Sequence, residues 1–108
     1  MKINEWRAIA NSESFIHLGK EFACDSLSRS DIDGTSNCIL LTGDFPQPWP
    51  QGWKAIDNSY ISIKTIDEWK LFIRSMSNKG SSNFAKAQLL KTKVDLAKTQ
   101  EDLDMIVW

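Results

Sequence analysis

The side chains best suited to chemistry in this chain are few and gathered near its N-terminal third. His17 is the single histidine. Glu21 stands four residues beyond it, and Cys24 and Asp25 three and four beyond Glu21, which on a helix would bring an imidazole, a carboxylate and a thiol to one face. That set resembles a metal site only loosely, because no Cys-x-x-Cys or His-x-x-x-His pair anchors it and structural zinc wants four such ligands. A solvated helix face carrying an incidental thiol accounts for the same spacing. A Cys24–His17 catalytic pair fails on reach, since seven helical residues separate the two by about 10 Å of rise.

Two other patterns also fall short. In "RSDIDG", Asp31 and Asp33 precede Gly34 as in a calcium loop, but aligning that glycine puts Arg29 and Leu40 where the first and last ligands belong. Both aspartates read as turn residues. The five glycines are scattered, and no phosphate-cradling loop is spelled out. The sequence therefore calls for no metal, no cofactor and no enzymatic activity.

Binding is the remaining class of function, and "DFPQPWPQGW" (Asp44–Trp53) is the segment that points to it. It holds all three prolines of the chain and two of its five tryptophans. Each proline fixes its own φ, lacks an amide donor and presses the preceding residue toward extended geometry. Phe45 to Pro50 is thus expected to be a stiff, extended connector. Either its aromatic rings cap the core, or at least one indole faces water as a preordered anchor of the kind that dominates protein interfaces. On the second reading Phe45, Trp49 and Lys54 are the contact residues, with Trp49 the more exposed indole and Trp53 the more packed. Asp31 and Asp33 then supply an acidic rim that speeds association.

The runner-up is nucleic acid. Between Lys79 and Lys98 stand five lysines (Lys79, Lys86, Lys91, Lys93, Lys98) against one acid, Asp95. Of these, Lys86, Lys91, Lys93 and Lys98 are the candidate phosphate contacts. Arginine is absent from the stretch, and only Phe84 interleaves for stacking.

Composition frames these options. With 108 residues, 42% hydrophobic and 25% charged, the chain is long enough for one domain, 1–108, with its own core. The formal charge is −1, unevenly spread: residues 1–53 carry four basic and seven acidic groups, residues 54–108 nine and seven. Two cysteines are too few for a disulfide framework, the N-terminus lacks a signal-peptide apolar run, and no stretch approaches the ~18 apolar residues of a membrane span. A reducing, cytoplasmic setting is expected.

The elements that must position these residues read as follows. A short helix begins near Asn4, with Ile3 as a staple. A second helix from Glu13 to Leu27 gathers Phe15, Ile16, Gly19, Phe22 and Ala23 on one side. A polar turn follows over Ser28–Asn37, then a buried strand over Cys38–Thr42 and a half-buried strand in "SYISIK". Thr65 and Glu68 form a capping box for a helix that Gly80 terminates. Residues 81–108 read as helix, with a hairpin of "TKVDLA" and "DMIVW" as the alternative. The sum is an α+β domain, a sheet of two to four strands packed against amphipathic helices. Its expected role is a small cytosolic protein-binding module of the inhibitor, immunity or antitoxin type.

Overall fold

The capping box is where local chemistry sets the architecture. In the computed structural model, which describes residues 2–108, the Thr65 hydroxyl accepts from the Glu68 amide at 3.1 Å while Glu68 Oε1 accepts from the Thr65 amide at 3.2 Å. Asp67 and Glu68 in the first turn complement the helix dipole. The helix so started does not stop at Gly80. It runs unbroken over Ile66–Leu96, 31 residues, or about 46 Å at 1.5 Å per residue. A mid-helix glycine costs only about 1 kcal/mol, and packing on both sides of Gly80 outweighs it.

Around this rod the order is α1 (Lys2–Ser12), β1 (Ser14–His17), β2 (Lys20–Ala23), α2 (Ser26–Thr42), β3 (Gly52–Lys54), β4 (Tyr60–Ser62), α3 (Ile66–Leu96) and α4 (Gln100–Asp104). The fold is α+β, with two antiparallel two-stranded sheets, β1–β2 and β3–β4.

The expected helix over 13–27 is instead the β1–β2 hairpin. Phe15 faces Phe22 and His17 faces Lys20 across it, and Leu18 and Gly19 form the two-residue turn at φ 51° and 76°. Positive φ at both turn residues matches the right-handed twist of the strands, which is the reason Gly19 is needed here. The alternation that marks strands is present in the letters: Phe15, His17 and Phe22 are buried while Ile16 and Glu21 are exposed. What decides the outcome is that Phe15 and Phe22 both reach Phe72 of α3, with ring centroids at 5.3 and 5.0 Å.

The polar turn over 28–37 and the strand over 38–42 are likewise corrected: both belong to α2. Asp25 caps it, accepting from the Ser28 amide at 3.1 Å, and Gly43 closes it in the left-handed region at φ 78° with its amide on the Ile39 carbonyl. Ile32, Thr35 and Ile39 make the inward face, at helical spacing. The strand expected in "SYISIK" is present as β4, with Ile61 and Ile63 buried and Tyr60 exposed. Its partner β3 begins at Gly52, where a Cβ would collide with the Ile61 carbonyl oxygen.

Two cores result. The larger joins Phe15, Phe22, Ile32, Ile61, Ile63, Trp69 and Phe72. A smaller one at the far end of α3 comprises Ile3, Ala87 and Leu90, with Trp6, Val94, Ile106 and Trp108 packed against it. Residues 81–96 are helical, and "DMIVW" forms no strand: Ile106 and Trp108 fold back onto the small core. The outcome is long and thin, 57 × 30 × 21 Å, with a Cα radius of gyration of 17.5 Å against about 13 Å for a compact chain of this length.

Candidate functional site

The proline connector is braced from below. Phe45, 8% exposed, stacks on Trp49 at 4.3 Å and 10° between planes, and Trp69 meets both edge-on at 6.5 and 5.8 Å. The Trp49 indole N–H donates to the Ile63 carbonyl at 2.9 Å. Trp53 packs against Trp69 at 5.4 Å. The Gln47–Pro48 peptide is cis. Trp49 and Trp53 are each half-buried, so neither stands free in water, and Phe45 is a support beneath Trp49 in place of an exposed contact.

The other contact candidates are dispersed. Lys54 is exposed at the end of β3, opposite Tyr60. Asp31 and Asp33 are exposed on α2, where residues two apart face nearly opposite directions. They form no common rim.

Beside the tryptophan cluster lies a surface that the sequence reading missed. Ser36, Ile39 and Leu40 of α2 and Trp69, Lys70 and Ile73 of α3 line an open apolar groove of about 270 Å³. Buried Trp69 forms its floor and is tied across it by its indole N–H to Ser36 Oγ at 3.0 Å. Leu40, which lines the groove, is 81% exposed, and Leu41, its neighbour in α2 outside the lining, is 83% exposed. Reading "CILLT" as a strand buried both leucines. The signal that places them outside is the Ile32, Thr35, Ile39 helical face, which leaves positions 40 and 41 off the buried side.

The lysines divide. Lys79, Lys86 and Lys93 share one face of α3 at seven-residue steps, while Lys91 lies well round the helix in a recess with Asn4, Arg7, Ala8 and Asn11 of α1. Lys98 lies beyond the helix end. Lys86 Nζ sits 4.7 Å from the centre of the Trp108 ring, a cation–π contact that helps dock the chain end.

The His17, Glu21, Cys24 constellation is dissolved by the hairpin. His17 and Cys24 turn inward and Glu21 outward, and among the described residues no three histidine, cysteine or acidic side chains gather as a metal site. His17 is 8% exposed, with Nδ1 2.6 Å from Ser75 Oγ, and burial lowers its pKa below the ordinary 6.5. The Asp25 carboxyl is held below its usual range by the hydroxyl and amide of Ser28, as befits a helix cap. Cys38, read as buried, is half-exposed on α2 with its sulfur 3.8 Å from Thr42 Oγ1.

Among the described residues no helix is long and apolar enough to cross a membrane. Comparison with curated proteins and with solved structures yields no match. A family profile matches residues 1–107, and the chain accordingly belongs to the family described as "Domain of unknown function (DUF4376)".

Proposed function

We propose that this protein is a non-enzymatic, cytoplasmic protein-binding module whose docking surface is the groove between α2 and α3. The observation that carries the reading is its surface. The chain exposes 7428 Å², whereas a compact monomer of 12.3 kDa exposes about 6,100 Å². The excess, roughly 1,300 Å², is spread over an elongated molecule, and the groove is where its apolar part is gathered. Ile39, Leu40 and Ile73 concentrate apolar area at one place, above a tryptophan floor that fixes its shape. The partner chemistry that fits is an amphipathic segment laying apolar side chains between two helices. An inhibitor, immunity or antitoxin-type role is the finer form of this reading.

The test is capture from host lysate by immobilised wild type, Leu40→Asp and Lys93→Gln proteins, with the captured protein identified and its affinity remeasured in purified form. Binding lost in Leu40→Asp and kept in Lys93→Gln supports groove docking. Equal binding by all three, or loss in Lys93→Gln alone, rejects it. The second reading, a phosphate track for nucleic acid, is favoured by the shared face of Lys79, Lys86 and Lys93 and rests on fewer cations than the five in the sequence. It expects an affinity for DNA or RNA that falls steeply with salt and loses part of that slope in a Lys86/Lys93 double variant.

A further inference from the structure

Where the two cores meet, α1, the β1–β2 hairpin, α2 and α3 leave a recess of about 290 Å³, lined by Arg7, Asn11, Cys24, Arg29, Ser77 and Lys79 among others. Three cations border it and no carboxylate does, in a chain whose net charge is −1. Among the described residues the buried Arg7 Nε has no hydrogen-bond partner. The guanidinium lies 4.9 Å from the centre of the Phe84 ring, which satisfies its face and leaves the N–H unmatched. Buried Asn83 donates its amide to Asn11 Oδ1 at 2.9 Å, so the acceptor end of Asn11 is occupied and its amide N–H₂ is the end left to donate. Among the described residues the Arg29 guanidinium makes one contact, a long one of 4.0 Å from Nη1 to Cys24 Sγ. Glu21, the acid of the β1–β2 hairpin, accepts from the hydroxyl of Ser14, a residue of the recess wall.

We propose that this recess binds a small phosphate-class oxyanion, either inorganic phosphate or a small phosphate monoester, with Arg7 and Arg29 as the principal contacts, Asn11 as an oriented donor and Lys79 at the rim. A wall with three cations and no carboxylate repels cations and favours anions, and the Ser77 and Ser81 hydroxyls can turn their O–H groups toward one. Planar guanidinium groups fit the paired oxygens of a tetrahedral anion. The volume lies just below the range of drug-sized sites, which suits a phosphate bearing a short substituent better than a nucleotide. The site is independent of the α2–α3 groove, and its fate does not decide that of the docking surface.

Calorimetric titration at low salt with inorganic phosphate, glycerol 3-phosphate and glycerol tests it. Saturable one-site binding of phosphate or of glycerol 3-phosphate, none of glycerol, and about tenfold or greater weakening in Arg29→Gln with Lys93→Gln unchanged are expected. Equal affinity for the two anions identifies the free ion as sufficient, and binding of the ester alone identifies an organic phosphate. Arg29 is exposed, so its variant keeps the fold where Arg7→Gln endangers it. Absence of saturable binding by both anions, or equal losses in Arg29→Gln and Lys93→Gln, overturns the proposal.

Discussion

His17 illustrates how a single side chain changes meaning once its surroundings are known. As a letter it is the chain's single histidine and the anchor of a loose metal-like set with Glu21, Cys24 and Asp25. In the fold its ring is wedged against Phe72 at 5.4 Å and hydrogen-bonded to Ser75. Burial disfavours the charged form, so the folded state binds a proton less readily than the unfolded chain does. Stability should therefore be full above pH about 6.5 and decline as pH falls below it, toward the lower folded value. Denaturant midpoints measured from pH 7.5 to 5.5 should fall in the wild type and stay flatter in His17→Gln; parallel curves would show that His17 plays no part. The Asp25 carboxyl, and that of Asp57, which the hydroxyl and amide of Ser59 likewise hold below its usual range, act in a separate window, below about 3.8, and do not confuse the comparison. Trp49 follows the same logic. Its stacking on Phe45 and its bond to Ile63 mean that truncation disturbs the fold as well as any interface, which is why Leu40 is the cleaner probe of binding.

At the scale of elements, two glycines set opposite expectations for one substitution. At Gly80 an added Cβ meets nothing within 4 Å and φ is already helical, so Gly80→Ala should stabilise the protein by about 1 kcal/mol and raise Tm by roughly 4 °C. At Gly52 the same methyl strikes the Ile61 carbonyl oxygen and forces β3 from β4, at a cost of about 1–3 kcal/mol. Thermal melts of the two variants should move in opposite directions; a common direction would contradict the strand register. The legible elements were those with an explicit local signal. The Thr65–Glu68 box announced α3, and the Ile61, Ile63 alternation announced β4. The hairpin was hidden because Phe15, Ile16, Phe22 and Ala23 satisfy a helical period as well as a two-residue one, and only Phe72, fifty residues away, decides between them. α2 was hidden because Ser28, Ser30, Asp31, Asp33 and Gly34 are turn formers whose preference yields to the packing of Ile32 and Ile39. The α2–α3 groove depended on that same helix and was invisible with it.

For the molecule as a whole, the distinctive quantity is its length relative to its mass. Small-angle scattering should return a radius of gyration near 18 Å and a largest dimension close to 57 Å; a value near 13 Å would mean that the two ends fold onto one another. The α+β class and the existence of one adequate core were within reach of composition and pattern. The division into two cores was not, since it follows from α3 continuing past Gly80, where the local cue said stop.

One geometric fact about the smaller core reaches further. Lys2, Ile3 and Trp6 border the same pocket as Leu103, Ile106 and Val107, so residues from the start and the finish of the chain converge on one pole. A tag, tether or fused partner joined at either extremity hangs from that pole and leaves the tryptophan-braced head pointing away. Linking the extremities and reopening the chain at the exposed Asp57–Asn58 corner should yield a permuted protein with the same silhouette.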